Sequence, residues 1–282
     1  MLIYEKNNKL FGTLENFPSE NDQELIYKDD QGVELELSRN DVYLDNKRGG
    51  IIRKSDNKMI NVFIGNFQVI GLKKISTLEE LKEVFAEGGN ITVENDITAP
   101  NTVIIKNTAN VNLNKKLVDT NTKLSGENGL GSSVLNIEGK DSKVVLENGT
   151  IDAYTNVPGF SFDDDYNIAI NVWDGAELTI KSGKIVGASC CVFVGEGTAI
   201  IEGGEFEARP DTSLKNRLFT LNCNDANYKN GKANIIVKGG KFYNGFNPAD
   251  NDVESEHCNF VAEGFKSIYH EEENCYEVVP EE

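Results

Sequence analysis

The amino-acid sequence predicts an all-β fold: a right-handed parallel β-helix solenoid with an N-terminal capping helix and a small N-terminal β-rich domain. Three observations lead to this prediction. A glycine-centred phrase recurs four times, apolar residues keep the same positions around each copy, and one amphipathic helix precedes the first copy. The domain boundary is predicted at residue 72, so residues 1–72 form the β-rich domain and residues 73–282 form the solenoid.

The repeated phrase places a large apolar residue two positions after its last glycine. Those glycines are 34, 21 and 36 residues apart. An interval of about 20 residues makes one bare turn of a β-solenoid, so the longer intervals predict the same turn with an inserted loop. Glycine is expected where the chain turns sharply and needs positive φ. The four copies are Glu147–Ile151, Lys181–Ile185, Glu202–Phe206 and Lys238–Phe242.

Apolar residues around the phrase align in three columns, and the residues between them are mostly polar. Because side chains alternate across a strand, the columns are predicted to face the core. They read Val144, Leu178, Ala199, Ile235; then Leu146, Ile180, Ile201, Val237; then Ile151, Ile185, Phe206, Phe242.

An additional strand is expected in each repeat, which gives three strands per coil. Three strands per coil indicate the triangular cross-section of a right-handed parallel β-helix, in which unpaired strand edges remain only at the two ends. The additional strands are Ser133–Ile137, Ile168–Val172, Cys191–Val194 and Leu218–Leu221.

Residues 1–72 lack the phrase and predict a module of β-hairpins. Polar turns at Lys6–Asn8, Asp29–Gly32 and Ser55–Lys58 each separate two apolar segments. A basic patch also stands out in this acidic chain. Its residues form either an ordinary hairpin surface or a site that anchors the chain to an acidic partner. They are Lys47, Arg48, Arg53 and Lys54.

One helix is predicted, from Ser76 to Glu87. Ser76 is the expected N-cap, with Glu79 as its partner in a capping box. An apolar stripe at helical spacing is predicted to cover the open end of the solenoid core. The stripe consists of Leu78, Leu81, Val84 and Phe85.

The chain after about residue 250 predicts a C-terminal cap. Glu271–Asn274 is the expected hairpin turn, and apolar residues on either side of it, including Ile268 and Tyr269, are predicted to lie on the last coil.

Composition narrows the classes of function. The formal net charge is −18, which argues against nucleic-acid binding and disfavours anionic membranes. The first residues predict no signal peptide, and no segment is long and apolar enough to predict a transmembrane helix.

The five cysteines predict reduced thiols, because their number is odd and no export signal is seen. No CxxC spacing or EF-hand pattern is present, so no metal or cofactor is predicted.

The segments Leu78–Thr98 and Val111–Asn114, together with the Gly-Gly-x-Phe repeats, resemble pectin-lyase-like β-helix proteins. More narrowly, Val237–Asp250 and Asn259–Phe265 are similar to the closing coil of β-helix virion proteins of bacteriophages. The resemblance covers about residues 76–280. It is more specific for the fold than for the role, because a fold does not fix a function.

The resemblance implies a structural, non-enzymatic virion protein, because related proteins include capsid decorations, head or tail fibres and tailspikes. Residues 1–72 would attach to other virion proteins, and the β-helix would project from the virion surface. The resemblance also implies a homotrimer. Cytoplasmic assembly in the host fits the missing export signal and the free cysteines.

Two inserted segments, Tyr154–Asn167 and Arg209–Arg217, are where recognition is expected, since insertions on solenoid coils form surface loops. Aromatic residues of the first either stack on a glycan of the host surface or environment or pack the loop against its coil, and its acidic residues are candidates for binding an ion. These binding candidates are Phe160, Phe162, Asp163, Asp164, Asp165 and Tyr166.

The alternative function is a tailspike-like polysaccharide depolymerase that uses carboxylates of the inserted loops. Such carboxylates must lie about 5 to 9.5 Å apart, and the sequence leaves open whether two loops meet on one face. The candidates are Asp163–Asp165, Arg209, Asp211 and Asp225.

Overall fold

The structure is a computed structural model of the chain. It describes residues 2–6, 9–14, 17–18, 24–45, 48–119, 133–153, 168–187, 190–208, 219–253 and 256–281. This part of the chain is predominantly β, and most of its strands lie in parallel sheets. Two short helices are present in it, α1 (Leu78–Glu87) and α2 (Asp225–Lys229), with one 3₁₀ turn at Arg39–Asp41.

The N-terminal sheet contains eight strands, all paired antiparallel. They are β1 (Leu2–Lys6), β2 (Lys9–Leu14), β3 (Leu25–Lys28), β4 (Glu34–Leu35), β5 (Val42–Asp45), β6 (Gly50–Arg53), β7 (Met59–Ile64) and β8 (Phe67–Gly71). The three predicted hairpins are confirmed as β1–β2, β3–β4 and β6–β7. Leu2, Tyr27, Val62 and Val69 belong to a small core of their own under this sheet.

The remaining strands begin directly after Leu72, the predicted boundary. In chain order they are β9 (Lys73–Ile75), β10 (Gly89–Val93), β11 (Ile97–Ala99), β12 (Val103–Ile105), β13 (Ala109–Asn112), β14 (Lys116–Asp119), β15 (Ser133–Glu138), β16 (Lys143–Glu147), β17 (Thr150–Asp152), β18 (Ile168–Trp173), β19 (Ala176–Ile180), β20 (Lys184–Gly187), β21 (Cys190–Val194), β22 (Gly197–Ile201), β23 (Glu205–Ala208), β24 (Leu221–Cys223), β25 (Ala233–Val237), β26 (Gly240–Tyr243), β27 (Asn251–Val253), β28 (Glu256–Cys258), β29 (Phe265–His270) and β30 (Cys275–Pro280).

These strands form three main sheets that the chain visits in rotation. Sheet 1 has the order β9-β10-β13-β16-β19-β22-β25, sheet 2 contains β11-β14-β17-β20-β23-β26, and sheet 3 is β12-β15-β18-β21-β24. All of these neighbours pair in parallel. We call three consecutive strands, one in each sheet, a repeat. The arrangement is compatible with a β-helix-like solenoid.

The predicted apolar columns are confirmed by the strand register. Leu178 pairs with Val144 and Ala199, and Ile185 pairs with Ile151 and Phe206. Every member of the three columns is buried, in one core cluster that extends from Ile75 to Val278. The phrase glycines have positive φ, from 64° at Gly149 to 106° at Gly204 and Gly240, as the sharp turn requires. Alternation along the strands therefore located the core correctly.

The helix prediction was wrong by one residue at its start. Thr77, not Ser76, is the N-cap, and its side chain accepts a hydrogen bond of 3.2 Å from the backbone N–H of Glu80. The Glu80 carboxylate in turn accepts the backbone N–H groups of both Ser76 and Thr77. The apolar stripe is confirmed, since Leu81, Val84 and Phe85 are buried in the main core cluster and Leu78 packs against it.

Replacing Thr77 by alanine is expected to lower the free energy of unfolding by about 1 kcal/mol, because the N–H of Glu80 loses its acceptor. Ser76→Ala is the matched control and should change stability by less than about 0.5 kcal/mol. Urea unfolding followed by circular dichroism measures both. Equal losses in the two variants would contradict the assignment of Thr77 as the cap.

Two other expectations need correction. The additional strand predicted at Leu218–Leu221 begins at Leu221 instead, and the buried Thr220 before it accepts backbone hydrogen bonds from β21 through its carbonyl. The C-terminal hairpin is confirmed, with β29 and β30 antiparallel, but Ile268 and Tyr269 are 39% and 47% exposed. They lie on β29, which is the outer strand, since β30 pairs with β26.

Candidate functional site

Most of the predicted loop candidates lie outside the described residues, so their roles stay predictions. Residues 154–167 join β17 to β18, and residues 209–218 join β23 to β24. The candidates in these segments are Phe160, Phe162, Asp163, Asp164, Asp165, Tyr166, Arg209 and Asp211, and Lys47 of the basic patch also lies outside the described residues.

The strands on either side show where these segments attach. Residues 120–132, 154–167, 188–189 and 209–218 all join sheet 2 to sheet 3, so they leave from one edge of the repeats. Strand β20 lies between β17 and β23, which sets the ends of the two long insertions about 10 Å apart. The topology thus brings the ends of both loops to one edge, a point that the sequence left open.

Asp225 does not share this edge. It lies in the first turn of α2, which follows β24 and precedes β25 of sheet 1. Asn224 caps this helix by accepting the N–H of Asn227 at 3.1 Å. Asp225 therefore follows β24, whereas the insertion of residues 209–218 precedes it, so the two are attached at opposite ends of that strand. The catalytic role of Asp225 stays a prediction.

Each described residue of the basic patch donates a hydrogen bond to another residue of the N-terminal module. Arg53 Nε donates to Asp56 Oδ1 at 2.9 Å, and this contact lowers the pKa of Asp56 to about 2. Lys54 Nζ donates to the backbone carbonyl of Asn40 at 2.7 Å. Arg48 donates to the backbone carbonyl of Asn57 at 3.0 Å. These contacts favour the hairpin-surface interpretation, and the anchoring role stays a prediction.

A shallow groove of about 480 Å³ crosses sheet 2 at the glycine corners of three successive repeats. Glycines give it a floor of bare backbone, and charged side chains from the neighbouring strand positions form its walls. Its lining residues are Ser182, Gly183, Lys184, Gly204, Glu205, Gly240, Lys241 and Glu277.

The charges of this groove alternate from strand to strand. The register aligns Lys184 with Glu205, Glu205 with Lys241, and Lys241 with Glu277. Because paired strands are about 4.8 Å apart, each charge has neighbours of opposite sign. Lys241 also donates to Glu273 at 2.8 Å, which raises the pKa of Lys241 and lowers that of Glu273. The groove offers donors and acceptors to a polar ligand.

The sequence analysis missed this groove, although the signal was in the phrase itself. The residues that flank the glycines alternate in charge from copy to copy: Lys184 and Lys241 follow the glycines in two copies, and Glu205 follows them in the copy between. As a turn motif the phrase predicts only a corner of the scaffold, whereas the alternation of its charges from strand to strand depends on which copies pair.

None of the five cysteines forms a disulfide bond, and all five are buried. Burial raises the pKa of both Cys191 and Cys223 to about 12. A thiol with such a pKa is protonated at neutral pH and is a poor nucleophile. Cys191 and Cys223 belong to the main core cluster, so their role is packing.

Among the described residues, no group of three or more histidine, cysteine or acidic side chains is arranged to hold a metal ion. No described helix is long and apolar enough to cross a membrane. No protein-family model, curated protein or solved structure matches the chain with statistical significance.

Proposed function

We propose that this chain is a structural protein of a bacteriophage virion, a capsid decoration or a head or tail fibre. Residues 73–282 would form a capped right-handed parallel β-helix that projects from the virion surface, and residues 1–72 would hold it to other virion proteins. One observation carries the proposal. Parallel pairing continues strand to strand from β9 to β25 in sheet 1, above a single core cluster, which makes an extended scaffold.

The two ends of this scaffold support the β-helix interpretation. At the first end, α1 contacts β9, β11 and β12 and buries Leu81 and Phe85 in the core cluster. At the other end, Phe260 is buried in the same cluster, and its carbonyl accepts the N–H of Val237 at 2.8 Å. Open ends of stacked strands need such cover, because exposed edges pair with other chains.

The N-terminal sheet meets the scaffold at its first strands, as an anchor at one end requires. Gly49, between β5 and β6, lies against Lys73 and Asn90, so a Cβ added to it would be 3.3 Å from Lys73 Cγ. Lys73 is 3% exposed, and its ammonium lies 3.0 Å from Glu87 Oε2 at the end of α1. These contacts place Gly49 of the module beside the first strand of the scaffold, next to the end of the capping helix, and so support attachment at that end.

Deleting residues 1–72 tests the anchor. The truncated protein should keep its β-type circular dichroism spectrum but lose binding to phage particles that lack the protein, measured by co-sedimentation. The full chain with Arg48, Arg53 and Lys54 replaced by alanine is the companion variant. It should still bind if these residues are only hairpin surface. Retention of the folded truncated protein on particles would overturn the anchor assignment.

The depolymerase remains the alternative, because both long insertions leave the same edge of the repeats. Incubation with capsular polysaccharide separates the two functions, since a structural protein leaves the viscosity of the solution unchanged. A clear fall in viscosity would count against the structural proposal. In that case Asp164→Ala should abolish the activity, whereas Asp225→Ala should keep it, because Asp225 is attached at the opposite end of β24 from the insertion.

A further inference from the structure

The outer face of sheet 1 carries a stripe of four β-branched residues, three of them apolar, which we call the central stripe. Its four residues pair in register across four neighbouring strands. They alternate with core residues such as Leu178 and Ala199, and they are half-buried and belong to no described core cluster. The central stripe consists of Val145, Thr179, Ile200 and Ile236.

The strands of sheet 1 continue into sheet 2 through short connections. The connections from β16 to β17, β19 to β20 and β22 to β23 are two or three residues long. The insertions of residues 120–132, 154–167 and 209–218 connect strands of sheet 2 to strands of sheet 3 and are not attached to a strand of sheet 1.

Two columns of charged and polar residues flank the central stripe, and they carry opposite signs at the same level in two of the four strands, β16 and β19. In β16, Lys143 lies on one side and Glu147 on the other; in β19 and the residue after it, Glu177 and Lys181 reverse these signs. The columns read Lys143, Glu177, Thr198, Asn234 and Glu147, Lys181, Glu202, Lys238.

We propose that the outer face of sheet 1 is a self-association surface that binds a second copy of this chain with its repeats running in the same direction. A two-fold axis parallel to the stack places each column opposite the other column of the second copy at the same level. Lys143 then faces Glu147, and Glu177 faces Lys181. The central stripe packs against itself, with Ile200 on Ile200.

Charge complementarity selects this occupant. The chain has a net charge of −18, so two copies repel each other unless the contact face offsets that charge locally. At the levels of β16 and β19, sheet 1 offers pairs of opposite sign, which favour one register of the two copies. Lys143 also lies 3.9 Å from Glu177 within the chain, so in the contact each of these charges would have a partner in its own copy and one in the second copy. Three copies around a three-fold axis parallel to the stack would also bring one column of each copy against the other column of its neighbour. The mass of the assembly therefore distinguishes a dimer from a trimer. The proposal does not depend on a virion role.

The face is small, on the order of 400 Å² per copy from the strand and residue spacings. That is below the roughly 800 Å² per partner of a typical specific interface. Association is therefore expected to be reversible and to increase with concentration, and analytical ultracentrifugation of the full chain over a range of concentrations measures it.

Three substitutions test the surface. Ile200→Lys and Ile200→Glu should each weaken association at least about tenfold, because like charges would face each other across the axis. An equimolar mixture of the two variants should associate again, because lysine then faces glutamate. Ile104→Lys is the matched control, since Ile104 is 40% exposed on the outer face of sheet 3. It should associate as the unmodified chain does.

Each result bears on the proposal. Equal thermal unfolding temperatures for the Ile200 and Ile104 variants would show that the fold is kept. A chain that stays monomeric up to its solubility limit overturns the proposal. Equal association of the Ile200→Lys and Ile104→Lys variants also overturns it, because the contact would then lie elsewhere. Failure of the mixture to associate rules out the parallel two-fold register, in which residue 200 faces its own equivalent.

Discussion

Replacing Phe206 by alanine is expected to lower the free energy of unfolding by about 3 to 5 kcal/mol, the range for a large buried aromatic side chain. Phe206 is fully buried, and its ring stacks on Phe242 of the next repeat at a centroid distance of 5.0 Å and an interplanar angle of 11°. Because the neighbouring strands are held by parallel pairing, the repeat cannot collapse to fill the cavity. Urea unfolding followed by circular dichroism measures the loss.

The contact with Phe242 adds a second test. Phe242→Ala should cost a similar amount, and the double variant should cost less than the sum of the two single variants by about 0.5 to 1.5 kcal/mol, because the ring contact is lost only once. Ile104→Ala is the control, with an expected change below about 0.5 kcal/mol, since Ile104 is 40% exposed. A Phe206→Ala variant as stable as this control would refute the predicted core column.

The core columns could be predicted from the sequence because they depend on a local rule. Alternation along a strand fixes which side chains share a face, and the glycines mark where each strand ends. Once the four phrases are aligned, Leu178 and Ile185 fall next to their equivalents without any knowledge of the folded chain. The register of the parallel strands then follows, because a shift by one residue would turn the apolar set outward.

The helix start could not be predicted to the residue, because two patterns fit equally well. Ser76 with Glu79 and Thr77 with Glu80 both match a capping box. The folded chain distinguishes them, because the carboxylate of Glu80 accepts the backbone N–H groups of Ser76 and Thr77. The outward position of Ile268 has a non-local cause. Strand β30 pairs with β26 and leaves β29 at the edge, and neither partner is near in sequence.

The candidate site was only partly predictable. The sequence identified the two insertions but could not say that both leave the edge between sheets 2 and 3, because that depends on which strands pair. In the N-terminal module, the basic patch was defined by its cations alone. Asp56 lies three residues after Arg53 and binds it with a forked contact, so the acidic neighbours of a cluster must be included in such a prediction.

Replacing Gly183 by alanine is expected to lower the free energy of unfolding by about 3 kcal/mol or more, through two effects that act together. The first is backbone strain, because φ at Gly183 is +103°, and a side chain in such a region costs about 1 to 3 kcal/mol. The second is a collision. A Cβ on Gly183 would lie 2.6 Å from the carbonyl oxygen of Asn148 in the preceding repeat.

A second glycine separates these two effects. Gly231, after α2, also has positive φ, at +69°, but an added Cβ would meet nothing within 4 Å. Gly231→Ala should therefore cost only about 1 kcal/mol, the strain term alone. Urea unfolding of both variants gives the difference. Asn148 cannot move away freely, because backbone hydrogen bonds hold the chain on both sides of it. The backbone N–H of Lys181 donates to the carbonyl of Leu146, and that of Lys184 donates to the carbonyl of Gly149. Equal losses at the two glycines would mean that the close approach between repeats does not determine the choice of glycine at the corner.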